Sequence, residues 1–118
     1  MKYMLLICRD EESWDKLSLP ERQQIYWDTA KIREELEAQG KHVSSAPLLS
    51  SSSATSVRVR DGKRLVTDGP FAETREQLGG YMIIDVKDLD EAIGIAGRIP
   101  LARSSTIEIR PVREGEPR

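Results

Sequence analysis

The chain has 118 residues, enough for one domain with a modest core. Its 18 Lys and Arg against 20 Asp and Glu leave a formal net charge of −2, without the basic excess of a dedicated nucleic-acid binder. A single cysteine excludes an internal disulfide, a lone His with a lone Cys fills no common zinc ligand set, and no apolar run approaches the roughly 20 residues that span a bilayer.

Lys2 to Cys8 is apolar on both alternating faces and reads as a central strand covered on both sides. The strand follows Lys2 directly, with no small-residue cleavage site, so no secretory signal is read and the expected location is cytoplasmic. Cys8 is a buried strand residue, or a nucleophile if His42 comes near it. Arg9 to Lys16 reads as a polar connector, with Trp14 either a lid over the core edge or part of an interface. Ser18 opens a long helix: Ser18 and Glu21 fit a capping box, and Pro20 is tolerated in the first turn. Ile25, Thr29, Ile32 and Leu36 form one apolar stripe, Tyr26 and Trp27 flank it, and Gly40 stops the helix.

His42 to Leu49 reads as a short strand, and Ser50 to Ser53 as a polar loop. Thr55 to Arg60 and Lys63 to Thr67 flank Asp61-Gly62, a strong two-residue hairpin signal. Arg58, Arg60, Lys63 and Arg64 make this hairpin basic, which reads as protection of an exposed edge or as a phosphate contact. Tyr81 to Val86 is a second strand apolar on both faces. Asp88 caps a second helix whose expected apolar face is Leu89, Ala92, Ile93 and Ala96. Thr106 to Arg110 alternates as a half-buried strand, and residues 113–118 form a charged, frayed tail after one domain over 1–112.

Without the hairpin, the order is β-α-β-β-α-β, an α+β, ferredoxin-like pattern. Such a sheet carries helices on one face only. Two strands apolar on both faces therefore predict a homodimer in which a second copy covers the open face.

The stretch from Thr67 to Gly80 is the richest in chemistry, with four charged side chains, one aromatic, and Gly at both ends. Asp68 is a general acid or base, a ligand contact, or an Asx-turn residue. Phe71 walls a pocket or anchors the loop. Glu73 and Glu76 share a face if Ala72 to Leu78 forms a helical turn, as an acid–base pair or a solvated face. Gly79 and Gly80 either let a ligand approach the backbone or end that turn. Tyr26, Trp27 and His42 line a cleft or pack an interface.

Asp68-Gly69-Pro70-Phe71-Ala72-Glu73-Thr74-Arg75-Glu76-Gln77-Leu78-Gly79-Gly80-Tyr81 resembles the DGPF branch of the YCII-related proteins. Met1 to Ile7, Val57 to Lys63, Asp88 to Ala92 and Ile107 to Val112 resemble the same family. The resemblance implies a dimeric α+β barrel-type assembly. It implies little about activity, although some members are encoded beside extracytoplasmic-function sigma factors. In the wider family a His–Asp pair in a cleft is the proposed catalytic centre. Counting twelve residues back from Gly40 places Asp28 at the His position, and Ile99-Pro100 replaces the Asp-Pro dipeptide.

The residues therefore support binding of a small polar molecule beside the Asp68–Gly80 loop. Asp68 is the candidate acid or base, and Asp68, Phe71, Glu76, Gly79, Gly80, Asp28 and His42 are the candidate contacts. No metal, cofactor, nucleic acid or membrane partner is expected. The alternative is a non-catalytic regulatory module tied to a sigma-factor system.

Overall fold

Strand β1 (Lys2–Asp10) alternates strictly in burial. Tyr3, Leu5, Ile7 and Arg9 face the helices, while Met4, Leu6 and Cys8 are half-buried on the opposite face. The expected connector after Cys8 is not one. Arg9 and Asp10 continue the strand, and Glu11–Asp15 forms the short helix α1. Asp10 switches one element to the other by accepting a hydrogen bond from the Ser13 amide at 3.2 Å, satisfying a donor at the helix start.

Helix α2 (Leu19–Ala38) starts at the expected capping box: Ser18 Oγ accepts from the Glu21 amide and Glu21 Oε1 accepts from the Ser18 amide. It stops before Gly40, whose φ of 71° is open to glycine at little cost. Ile32 and Leu36 are buried in the core, but Thr29 and Ile25, one turn and two turns before Ile32, are only half-buried. The first half of the apolar stripe roofs a cavity rather than a filled core.

Strands β2 (His42–Pro47), β3 (Thr55–Arg60), β4 (Lys63–Asp68) and β5 (Glu76–Asp85) follow, then helix α3 (Leu89–Arg98) and strand β6 (Ile107–Pro111). Strands β2, β5, β1 and β6 form one antiparallel sheet in that order. The structure, a computed structural model, describes residues 1–115, and the end of the tail expected over 113–118 lies outside them. The chain is a mixed α+β protein with its helices over one sheet face. Leu5, Met82, Ile84 and Ile99 are fully buried there, each worth about 1.5–3 kcal/mol relative to exposure.

Two expectations are corrected. The strand after the loop begins at Glu76, not Tyr81, so Gly79 and Gly80 lie inside it and no helical turn joins Glu73 to Glu76. The buried face of α3 is Ala92, Ile95 and Ala96, leaving Leu89 and Ile93 about half exposed.

The β3–β4 hairpin pairs only with itself. Asp61 and Gly62 both take positive φ at its tip, as a two-residue hairpin turn requires. Almost all of its residues are exposed. The radius of gyration is 16.2 Å, against about 13–14 Å for a compact chain of this length. The difference comes from this arm standing off the body.

Candidate functional site

Two depressions flank the junction of β1 and α1. The wider, about 570 Å³, lies open to solvent between α1 and the loop of residues 69–75. The smaller, about 120 Å³, is more enclosed and lies between the first half of α2 and the sheet. Its floor is Arg9, Gly79 and Gly80, and Trp14, Tyr26 and Ala30 stand around it.

Arg9 dominates the smaller cavity. It is only 5 % exposed, although it carries a permanent charge. Alternation along β1 places it on the helix-facing side, directly after Ile7. Its guanidinium carbon stands 4.5 Å from the centre of the Trp14 ring, a cation–π contact. Trp14 is fixed in turn by an edge-on contact with Tyr26 at 5.5 Å. Arg22 reinforces it, donating to the carbonyls of Trp14 and Asp15. Arg9 Nη2 donates to the Leu48 carbonyl at 3.4 Å, and Arg9 Nε has no partner among the described residues.

A bulge makes room for this side chain. Ile7 pairs with Gly80 and Cys8 with Leu78, so Gly79 is the extra residue in β5. A Cβ on Gly79 would sit 3.0 Å from Arg9 Cδ; one on Gly80 would sit 3.0 Å from the Ala46 carbonyl oxygen. Neither glycine has positive φ. Both are needed for space, not for backbone conformation.

The loop above the wider depression is tied down by side chains. Gln77 Nε2 donates to the Ala72 and Thr74 carbonyls, and Arg75 Nε donates to Asp10 Oδ2 at 2.9 Å. That bond from Arg75, joined by the Ser13 amide, holds the Asp10 carboxyl below its ordinary value. Burial pushes Glu11 upward, but hydrogen bonds from Ser51 and Ser50 and the Arg9 charge outweigh it and leave Glu11 lowered.

A depressed folded-state pKa stabilises the folded arrangement above the unfolded value of 3.8 and loses that contribution as pH falls through the folded one. Acid should therefore release the loop at Arg75. Asp10→Asn keeps the helix cap but removes the charge. Pepsin should cut beside the exposed Phe71 faster in this variant than in the parent at about pH 5, and the difference should shrink only as pH falls below the unfolded value of 3.8 and through the lower folded one.

The structure scatters the residues expected at a site. Gly79 and Gly80 floor the cavity. Asp68 stands at the exposed end of β4 opposite Thr55 and lines neither depression. Phe71 is 83 % exposed, so it anchors nothing within this chain. Glu76 accepts hydrogen bonds from the Thr106 amide and hydroxyl. Asp28 accepts one from Gln24, and His42 Nε2 bonds Ser45 Oγ. Cys8 and His42 lie five positions apart along the sheet, about 17 Å. Burial, followed by the charges of Glu76 and Glu108, raises the Cys8 thiol above its ordinary value, which disfavours the nucleophilic thiolate. Arg9 itself was hidden from sequence reasoning by the boundary drawn after Cys8. The signal was the unbroken alternation Leu5, Ile7, Arg9 opposite two glycines.

Fold and cavity together define a small α+β protein with one buried cation at the edge of its core. Comparison with known sequences places it more narrowly. The YCII-related domain matches residues 1–116, and the chain belongs to that family. It is similar to an uncharacterized protein of Rhizobium meliloti (strain 1021), 35 % identical over 114 residues that span 95 % of this chain and 92 % of the other. Among the described residues no helix is long and apolar enough to cross a membrane.

Proposed function

We propose that the protein is a small-molecule-binding homodimer of the DGPF branch, and that its ligand occupies the cavity beneath α2. The observation that carries this reading is the cavity itself: a half-open pocket with a backbone floor at Gly79–Gly80 and aromatic walls at Trp14 and Tyr26. Concave, mostly apolar sites with a few placed polar groups are the usual form of small-ligand pockets. The sheet order β2-β5-β1-β6 supports a ferredoxin-like topology with the hairpin inserted before the third strand of that pattern.

The homodimer is supported by the sheet face turned away from the helices. Met4, Leu6, Cys8, Tyr81 and Ile83 are half-buried there and Leu78 is exposed. A second copy laid against this face removes that apolar surface from water. Acid–base work by Asp68 enters this proposal only through such a copy, because in one chain the carboxylate faces solvent. The second reading is an interaction module acting with an extracytoplasmic-function sigma factor; the uncovered hairpin favours it.

Screening small metabolites for a rise in melting temperature tests the binding reading, since a ligand of the native state stabilises it by mass action. At least one compound should raise the parent's melting temperature and fail to do so in Ala30→Phe, whose ring fills the cavity. Compounds that stabilise both proteins equally would place binding elsewhere.

A further inference from the structure

We infer that Arg9 is an anion receptor, and that the cavity takes a small monocarboxylate whose apolar body lies between α2 and the Gly79–Gly80 floor. This rests on the cavity being a binding site and adds the chemical class of its ligand.

The argument starts from the charge. A guanidinium cannot shed its proton, so burial leaves it a cation in a poor solvent. Only 5 % of Arg9 is exposed to water. It offers five N–H donors. One reaches the Leu48 carbonyl at the long distance of 3.4 Å, and Nε reaches nothing among the described residues. The Trp14 face offsets part of the cost, but a ring supplies no hydrogen-bond acceptor.

Nothing around the cavity supplies the missing anion. The charged residues lining it are Arg9 and Arg33, with no carboxylate among them. Glu11 is close enough for the Arg9 charge to act on it, yet its two oxygens accept from the amide and hydroxyl of Ser51. Arg33 is paired with Glu37 at 3.3 Å. No carboxylate hydrogen-bonds the guanidinium among the described residues, and with the Glu11 charge already nearby the open donors match a monoanion better than a phosphate dianion.

Geometry adds the shape of the ligand. Trp14 covers one side of the guanidinium, and the side chain lies against Gly79 on β5. Nε is sealed from solvent, so a carboxylate would grip the guanidinium through its Nη groups, whose N–H bonds can bind two oxygens side by side. The space is about 120 Å³, near the roughly 150 Å³ of an apolar cavity that takes benzene. A phenyl ring or a short alkyl chain fills it with the carboxylate on Arg9.

The test uses the emission of Trp14 in a Trp27→Phe background, since Trp27 is exposed and does not line the cavity. The probes are benzoate and hexanoate, with benzamide, acetate and phenyl phosphate as comparisons. Benzoate and hexanoate should bind saturably, benzamide and acetate at least about tenfold more weakly, and phenyl phosphate no better than benzoate. Arg9→Gln should weaken benzoate at least about tenfold, with Arg9→Lys in between. Without ligand, Arg9→Met should melt at or above the parent temperature, because it removes a buried charge with few hydrogen-bond partners while keeping an apolar stem. Equal binding of benzamide and benzoate, tighter binding of phenyl phosphate, or full affinity in Arg9→Gln would overturn the inference. A flat response to every probe would do the same, as would a fall of more than about 10 °C in Arg9→Met, which marks Arg9 as structural. Neutral compounds that bind the parent and are excluded by Ala30→Phe would leave the cavity reading standing while the carboxylate falls.

Discussion

Gly80→Ala should destabilise the protein by about 1–3 kcal/mol, the cost typical of overpacking a filled site. The added methyl would stand 3.0 Å from the Ala46 carbonyl oxygen and 3.3 Å from Pro47 Cα. Both are backbone atoms of β2 paired against β5. They cannot swing aside as a side chain tip does. Relief requires moving β2 outward, which strains the Ala46–Tyr81 and Pro47–Gly80 pairing and the Leu48 amide bond to the Gly79 carbonyl. Gly79→Ala is the informative contrast. Its methyl meets Arg9 Cδ, Nε and Cγ at 3.0–3.2 Å, atoms of a side chain with freedom to rotate. That variant should lose less stability and instead displace the guanidinium from Trp14. Equilibrium urea unfolding of both variants checks the ranking. A Gly80→Ala protein as stable as the parent would mean that β2 is loosely held and the cavity floor is deformable.

The fold was legible where a local chemical rule settled the matter. Ser18 with Glu21, Gly40, Asp61-Gly62 and Asp88 each mark a boundary through a backbone group that only certain residues satisfy, and each marks one in the structure. The misread strand boundaries share one cause, which is that polarity stood in for exposure. Arg9 is charged, so β1 was ended before it, yet Trp14 and the glycines opposite let it remain inside. Glu76 and Gln77 are polar, so β5 was started after them, yet Glu76 bonds Thr106 beside the end of β1 and Gln77 holds the loop. Gly79 and Gly80 were read as a turn because glycine in a strand is costly. Here the missing side chains are the reason the strand accommodates both an arginine and a close neighbour. A long-range contact of that kind has no signature in periodicity.

This also explains why the acidic loop attracted attention that the cavity deserved. Between Asp68 and Arg75 the charged groups have fixed partners or solvent, and those partners build a clasp between the loop and α1. Arg9 is the opposite case. It sits where an apolar run gives way to a polar one, carries a full charge, and has few partners. Burial without compensation points to chemistry more strongly than an abundance of polar residues does.

Removing the hairpin should convert the proposed dimer to a monomer while leaving the body folded. Replacing Ser56–Thr67 by Asn-Gly joins Thr55 to Asp68, which are already paired, so the connection closes without strain. The arm belongs to a separate two-stranded sheet, and an isolated hairpin is marginal in water. Pairing places Val57 beside Val66 on one face, with Val59 next along, and these stand 59–61 % exposed. The other face presents Arg58, Arg60 and Lys63. Arg64 opposite Val59 edges the valine face and Leu65 opposite Arg58 sits on the basic one, so the ribbon is mainly apolar on one side and mainly basic on the other, which fits a surface that is apolar and then acidic. The chain carries both, as the open sheet face with Leu6 and Ile83, and as the rim of Asp10, Glu12 and Asp15 at α1. Two-fold symmetry would let each arm reach those surfaces on the other copy at no cost in new sequence. Light scattering at micromolar concentration should show the parent near twice the chain mass of 13.3 kDa and the shortened protein near that mass. Val57→Asp with Val66→Asp should weaken self-association at least about tenfold without deleting anything, because it buries charge in the apolar contact. Far-ultraviolet circular dichroism per folded residue should stay unchanged for α2 and α3 in both variants. If the shortened chain remains dimeric, the open sheet face alone holds the copies together and the arm is free for another protein; if the parent itself is monomeric, the apolar face of β1 and β5 has some other cover.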